Sequence, residues 1–381
     1  MIVGILGGGQ LGRLLAQAGY SLGLRFRVLD LSAEAPAGQL AELMVADFND
    51  TDALKRFAKG LDVVTYEFEN VPVDSARFLN RRVRVYPAAR ALEAAQDRIA
   101  EKKFFQGLGI PTPPFTAVES WDDLESALDE LGVPAVLKTR RFGYDGKGQY
   151  VLRNPEDAAR AWHSLGGVPL ILEGFVPFAR EVSIIGVRGR RGETAFYPII
   201  QNHHEDGMLR SSLAPAPEAS AELQREAEVF AGKALDALGY VGVLAIEFFE
   251  VEGHLIANEM APRVHNSGHW TIEGAETSQF ENHLRAIMGW PLGPTAVVGC
   301  SGMLNLIGAL PDAGELLSIP GAHLHLYGKS PRPNRKLGHL TIRANDRQLR
   351  DAGLAKAGKL VGDEGWGEGA TRRRGEGKKG E

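Results

Sequence analysis

Two glutamates, Glu247 and Glu259, lie in the stretch LAIEFFEVEGHLIANEMAPRVHNSGHWT, residues 244–271. Residues 244–249 and 255–260 are rich in β-formers, and Glu252-Gly253 between them is a hairpin turn signal. A pairing centred on Gly253 sets Glu247 directly opposite Glu259. Like charges placed so destabilise a sheet unless a positive group stands between them. A magnesium ion carrying nucleotide phosphates would supply that charge, since magnesium takes one or two carboxylates and fills its other positions with water and phosphate oxygens. The plain alternative is a solvated acidic hairpin. Arg263, His265, Asn266, Ser267 and His269 follow, dense in donors among few apolar residues, which suits an anion-binding loop better than a core.

Other residues could serve the same chemistry. Gly7, Gly9 and Gly12 stand between an apolar run and an amphipathic one, with Asp30 about 20 residues on, as a dinucleotide site requires. A glycine turn at a helix start also accepts any phosphate, and Gln10 would add an amide. Glu67 and Glu69 end the run VVTYEFENV, where acids point into a ligand crevice or into solvent. Lys138 sits inside the apolar strand 135–139 and needs an anionic partner. The glycine-rich segment 140–148 after it could cover a triphosphate or be a mobile hairpin. Glu173 ends the apolar run LILEGF and could meet an adenine amine and a ribose. The basic turn from Lys329 to Lys336, with Arg332 and Arg335, could reach an anionic substrate.

Several charged groups invite plainer readings. Arg98 and Lys102 are four apart on a predicted helix over 96–108, expected as a solvated basic face with Ile99, Phe104 and Leu108 buried. His203 and His204 with Glu205 and Asp206 hint at zinc, but neighbours on a strand point to opposite faces. His323 and His325 share a strand face, expected to be solvent-facing.

The elements that must position these groups alternate. Strands at 2–6, 26–30, 43–46, 63–66 and 83–86, separated by helical segments, predict a parallel Rossmann-like α/β domain over residues 1–108. The connector IPTPP from Ile110 marks a boundary. Residues 109–175 are expected as a small lid, 176–294 as a larger unit carrying the hairpin, and 295–361 as a small β-rich unit. The glycine- and charge-rich residues 362–381 are expected to be disordered. The chain has 381 residues, 44% hydrophobic and 24% charged, with net charge −5. That balance argues against a general nucleic-acid or membrane-surface binder. One cysteine, Cys300, rules out an intrachain disulfide and fits a cytoplasmic setting. No apolar run reaches the length of a membrane span.

Taken together, GGGQLGRLL, YEFENV, GYDGKGQ, EGFVPFARE and NEMAPRVHNSGHWT resemble the ATP-grasp superfamily of carboxylate–amine ligases, and within it the 5-(carboxyamino)imidazole ribonucleotide synthase family, from residue 1 to about 345. Lys147 stands where many members carry arginine. The resemblance implies an N-terminal α/β domain, an ATP-grasp module and a β-rich C-terminal domain. It implies ATP- and bicarbonate-dependent carboxylation of the amine of 5-aminoimidazole ribonucleotide through carboxyphosphate, in purine biosynthesis, by a homodimer. Glu247 and Glu259 would hold magnesium, with manganese a substitute. Arg98, Lys138, Glu173, Gly174, Phe175, Val176, Glu181, His204, Asn258 and Glu259 would hold ATP, with Gly143, Tyr144, Asp145, Gly146, Lys147, Gly148 and Gln149 closing over it. Gly9, Gln10, Leu11, Glu67, Asn266, Ser267, Lys329 and Arg335 would contact ribonucleotide or bicarbonate. Asp145, Tyr144, Lys147, Lys329 and Arg335 are the catalytic candidates, Asp145 for the amine proton. Substrate phosphate would then occupy the first glycine loop. The alternatives are another ATP-grasp ligase and a nicotinamide-dependent oxidoreductase built on Gly7–Gly12 and Asp30.

Overall fold

A computed structural model describes residues 1–143 and 146–362. Tyr144, Asp145 and the tail from residue 363 lie outside the described residues.

Three sheets organise the described residues. The first is parallel, in the order Glu42–Val45, Arg25–Asp30, Ile2–Leu6, Val63–Tyr66. Helices Gln10–Tyr20 and Thr51–Ala58 lie on its crossover connections, as parallel pairing demands. Leu11, Leu14 and Leu15 of the first helix are buried, whereas Leu22 lies beyond its end. Residues 83–86 do not form the expected strand and make only an isolated bridge between Val64 and Val85. That bridge has two hydrogen bonds, Val64 N–H to the Arg84 carbonyl and Tyr86 N–H to the Val64 carbonyl, both 2.8 Å, while two other amides turn to the preceding helix. Val83 N–H donates to the Leu79 carbonyl at 3.0 Å, and Val85 N–H to Asn80 Oδ1 at 3.1 Å.

The second sheet is antiparallel, in the order Phe115–Val118, Leu170–Gly174, Ala135–Thr139, Gln149–Leu152. Helices Trp121–Leu131 and Asp157–Leu165 pack on it through a core that includes Leu124, Leu137 and Leu172. The third sheet has nine strands and begins at the edge with His254–Ala261 beside Gly242–Val251. It continues through Arg180–Arg188, Ile200–Glu205 and Met208–Ala214. From there it passes without a break to Cys300–Ile307, Lys336–Ala344 and Ala322–Leu326, while the ninth strand, Thr194–Phe196, pairs off this path with Arg180–Arg188. Met208–Ala214 pairs antiparallel with Cys300–Ile307, so the late strands extend the sheet that carries the glutamates.

The hairpin forms because its turn and its alternation agree. Glu252 and Gly253 both take positive φ, 50° and 83°, the pattern of a two-residue turn whose twist matches the strands. Ile246 and Phe248 point to the core and Glu247 to the other face. Phe248 packs against Phe230 of helix Ala221–Ala237, with ring centroids 6.1 Å apart. Phe248→Ala should therefore destabilise the fold by about 3–5 kcal/mol, the usual cost of emptying a buried phenylalanine site. Denaturant unfolding followed by fluorescence measures it, and a loss below about 1 kcal/mol would contradict the packing role.

Candidate active site

The three sheets converge on a cleft of about 800 Å³. Gln10, Leu11 and Glu67 reach it from the first sheet, Gly143 and Lys147 from the lid, and His204, Glu247, Glu259 and Asn266 from the large sheet. Lys329 and Arg335 line its far side. The hairpin sets Glu247 opposite Glu259 in register, with a bulge just after Glu247. Removal from water and the facing Glu259 raise Glu247 to about 7, even with His204 nearby to lower it. Glu259 is also drawn upward by its removal from water, but the Arg98 guanidinium, 2.8 Å away, outweighs that and holds it at about 2. His265 Nε2 stands 3.3 Å from Glu247. Burial and the charge of Arg263 hold His265 down at about 3, so it is neutral at pH 7. Protein cations bear on both acids, Arg98 and Lys138 on Glu259 and His204 and Lys336 on Glu247, yet Glu247 is still held towards its neutral form. Two carboxylates opposed on one face suit magnesium, which borrows its remaining oxygens from phosphate and water. No group of three or more His, Cys, Asp or Glu forms a metal cage among the described residues.

The helix Arg98–Gly107 is capped by Asp97, which accepts from the amides of Ile99 and Ala100. The solvated basic face expected for Arg98 and Lys102 is corrected here. Arg98, Glu101, Lys102 and Phe105 share one side of the helix, at helical spacing, and it turns inward. Lys102 is only 1% exposed, and Phe105 rather than Phe104 is the fully buried anchor. Sequence reasoning missed Glu101 and Lys102, although an apolar anchor on their face was the available signal. Glu101 accepts from the Met260 amide at 2.6 Å; burial and then Glu259 push it up to about 8. Lys138 finds its anionic partner in Glu173, at 2.9 Å. Burial would raise Glu173, but Lys138 and Lys102 hold it at about 2. Its Oε1 accepts no well-aligned hydrogen bond but lies 3.3 Å from the Lys102 ammonium. The amides of Gly174 and Phe175 donate to the carbonyls of Pro114 and Pro134, while Val176 is buried beside them. Asn258 Oδ1, next to Glu259, is buried without a partner.

The first glycine loop differs from expectation. Its donors already hold carboxylates from the same chain. Gly9 N–H and Gly12 N–H donate to Glu67 at 2.8 and 3.0 Å, and Gly8 N–H donates to Asp30 Oδ2 at 2.6 Å. A Cβ on Gly9 would stand 2.6 Å from Glu67 Oε1, so glycine is needed for this approach. A substrate phosphate or dinucleotide pyrophosphate has no claim on these amides while Glu67 holds them. Asp30, whose spacing suggested a dinucleotide site, instead fastens the loop. Gln10 lines the cleft and accepts from Lys329.

The donor-rich loop after the hairpin divides: Arg263, His265 and Asn266 line the cleft, whereas Ser267 and His269 are internal. Arg263 pairs with Glu69, and His269 is 1% exposed. The Ser267 hydroxyl is enclosed and bonded to Ser183 at 2.9 Å, so its side chain does not open to the cleft. Asn266 does line the cleft, braced by a double amide contact with Asn305 at 3.1 and 2.8 Å. A bulge at His203/His204 separates those neighbours. His203 is exposed, and His204 binds Glu181 at 3.0 Å. Burial alone would lower His204, but Glu181 and Glu247 raise it to about 9. His325, expected to face solvent, pairs with Glu273 at 2.6 Å and stacks on His339 with centroids 4.5 Å apart. At the lid, Gly146 lies against the backbone of Asp206 and Gly207, where a Cβ would come within 2.0 Å of a carbonyl oxygen. Gly148 and Gln149 lead back into the lid sheet.

The state of Glu173 has a pH signature. Its folded pKa of about 2 lies below the ordinary 4.5, so its stabilising contribution is complete above pH 4.5 and is lost as pH falls towards 2. Thermal unfolding between pH 5 and 2 should therefore fall less steeply in Glu173→Gln than in the parent, and parallel curves would contradict the pairing.

Comparisons with known proteins agree with this geometry. The ribonucleotide synthetase preATP-grasp domain matches residues 1–96, the ATP-grasp domain residues 103–280, and the phosphoribosylaminoimidazole carboxylase C-terminal domain residues 301–352. The N5-carboxyaminoimidazole ribonucleotide synthase of Pseudomonas aeruginosa is 54% identical over 361 residues, covering 95% of this chain and 99% of the relative. The crystal structure of the Thermus thermophilus synthetase superposes with TM-score 0.91 at 61% identity, covering 94% and 98% of the two chains. The Aspergillus clavatus synthase in complex with ADP and 5-aminoimidazole ribonucleotide superposes with TM-score 0.89 at 32% identity, covering 95% and 98%. Three matched domains in one order and near-complete coverage at this identity place the chain in the N5-carboxyaminoimidazole ribonucleotide synthase family of ATP-grasp ligases.

Proposed function

We propose that this chain uses ATP and bicarbonate to carboxylate the exocyclic amine of 5-aminoimidazole ribonucleotide, giving the N-carboxy product, ADP and phosphate. The observation that carries the reading is the cleft itself. It unites an opposed glutamate pair, a lid lysine held ready on a carboxylate, and a basic wall from the C-terminal strands. A bicarbonate oxygen attacks the γ-phosphorus of ATP and ADP departs. The amine then attacks the carboxyl carbon of carboxyphosphate, or CO₂ released from it; phosphate leaves, and the amine gives up a proton.

The residue roles are those the family resemblance implies, supported for the residues that line the cleft. Arg98, Lys138, Glu173, Val176, Glu181, His204 and Asn258 position ATP. Glu247 and Glu259 would hold magnesium, with manganese a substitute, and the ion supplies charge screening on the phosphates. The lid segment from Gly143 to Gln149 keeps water from the labile intermediate, aided by the contact of Gly146 with the large sheet. Gln10, Glu67, Asn266, Lys329 and Arg335 hold the ribonucleotide, its phosphate falling to the basic wall rather than to the glycine loop. Asp145 takes the amine proton, and Tyr144 and Lys147 are the other catalytic candidates of that segment. We further read the enzyme as a cytoplasmic homodimer; among the described residues no helix is long and apolar enough to cross a membrane. The nicotinamide alternative is disfavoured because Glu67 and Asp30 hold the loop amides it would need.

ADP release should require both bicarbonate and 5-aminoimidazole ribonucleotide, and omission of either in a coupled assay should abolish it. ADP formation driven by a different amine would move the chain to another ligase activity. Glu259→Gln should fold but lose about 10²–10³-fold in turnover, the scale of removing a preorganised electrostatic group. Asp145→Ala should bind ATP as the parent does and fail to carboxylate; carboxylation at the parent rate would remove the proton role.

A further inference from the structure

Lys102 has no role in the assignments above, yet it occupies the joint of the site. Its side chain is 1% exposed, and its Nζ lies 3.3 Å from Glu173 Oε1 and 3.2 Å from the Asn258 carbonyl. Glu173 belongs to the lid sheet and Asn258 to the hairpin that carries Glu247 and Glu259, so one ammonium ties the two together. The other oxygen of Glu173 receives Lys138 at 2.9 Å, and the Lys138 side chain is the more exposed of the two lysines, at 10%. One carboxylate thus answers two buried cations. Glu101 also acts on Lys102 and Glu259 on Lys138, so an incoming phosphate would exchange with Glu173 as partner of the more exposed lysine.

We infer that Lys102 is a positioning residue. It remains on Glu173 and the Asn258 carbonyl, so that Lys138 can pass from Glu173 to a nucleotide phosphate without leaving a bare buried carboxylate. Breaking a buried pair to leave one unpaired charge is far costlier than exchanging one anionic partner for another. The location of Lys102 on the same helix face as Arg98 matches this division of labour: Arg98 serves Glu259, and Lys102 serves Glu173.

This inference rests on the nucleotide reading, and the experiment separates the two. ADP affinity by calorimetry, with KM for ATP and kcat, is measured in the parent, Lys102→Met, Lys102→Arg, Glu173→Gln and the Lys102→Met/Glu173→Gln double variant. Lys102→Met should raise the ADP Kd and the ATP KM at least tenfold, with kcat at saturating ATP within threefold. Lys102→Arg, which keeps the charge, should stay within threefold on every parameter. In the Glu173→Gln background, where no carboxylate needs compensation, Lys102→Met should shift ADP affinity by less than twofold. Lys102→Gln, which can still donate to the Asn258 carbonyl, is run in both backgrounds, so a folding failure of the methionine variant leaves the comparison intact. Equal effects in the two backgrounds, or an arginine variant as impaired as the methionine one, overturn the inference while leaving the nucleotide reading standing. A parent that binds no ADP overturns both.

Discussion

Two like charges facing each other across a β-ribbon set the terms for everything around them. At about 5 Å and an effective dielectric of 20, two carboxylates repel by roughly 3 kcal/mol. The fold keeps this arrangement by spreading the load. Glu247 is shifted towards its neutral form, while Glu259 keeps its charge against Arg98. Arg98 can stand there because Asp97 caps its helix and Phe105 anchors it in the core. The cleft is thus a charged device held together by apolar packing behind it, with Ile246 and Phe248 on the reverse of the strand that carries Glu247.

The parts of the molecule legible in the sequence are those whose determinants are neighbours in the chain. The hairpin register follows from its turn and alternation, and both agree with the structure. The strand Ala135–Thr139 and its lysine could be read the same way. What escaped depends on partners far away. The glycine loop looks like a phosphate site because Glu67, more than fifty residues on, is invisible to local spacing. Lys102 looks solvated because Glu173 and Asn258 are remote. Ser267 looks available until Ser183 is brought against it. The union of the late strands with the large sheet has no local signature, since strand pairing at a sheet edge is a tertiary event.

A recurring device is the use of the chain's own carboxylates as stand-ins for an outside anion. Glu67 fills the amides of the glycine turn, and Glu173 answers Lys138 of the lid and Lys102 of helix Arg98–Gly107. Both solve the same problem, since unpaired donors and cations away from water are expensive. They differ in what they leave open. Glu67 receives fixed backbone donors that cannot move away, whereas Glu173 receives a flexible side chain that can.

Lys329 donates to Gln10, two residues separated by nearly the whole chain. The cleft therefore has no closed form until the last strands have left the ribosome and threaded onto the sheet edge offered by Met208–Ala214. During synthesis the N-terminal parallel domain and the lid can fold as they emerge, but that edge must wait exposed for Cys300–Ile307. The slow and aggregation-prone moment in the life of this protein then falls late in translation, when most of the catalytic groups exist but the wall that completes them does not.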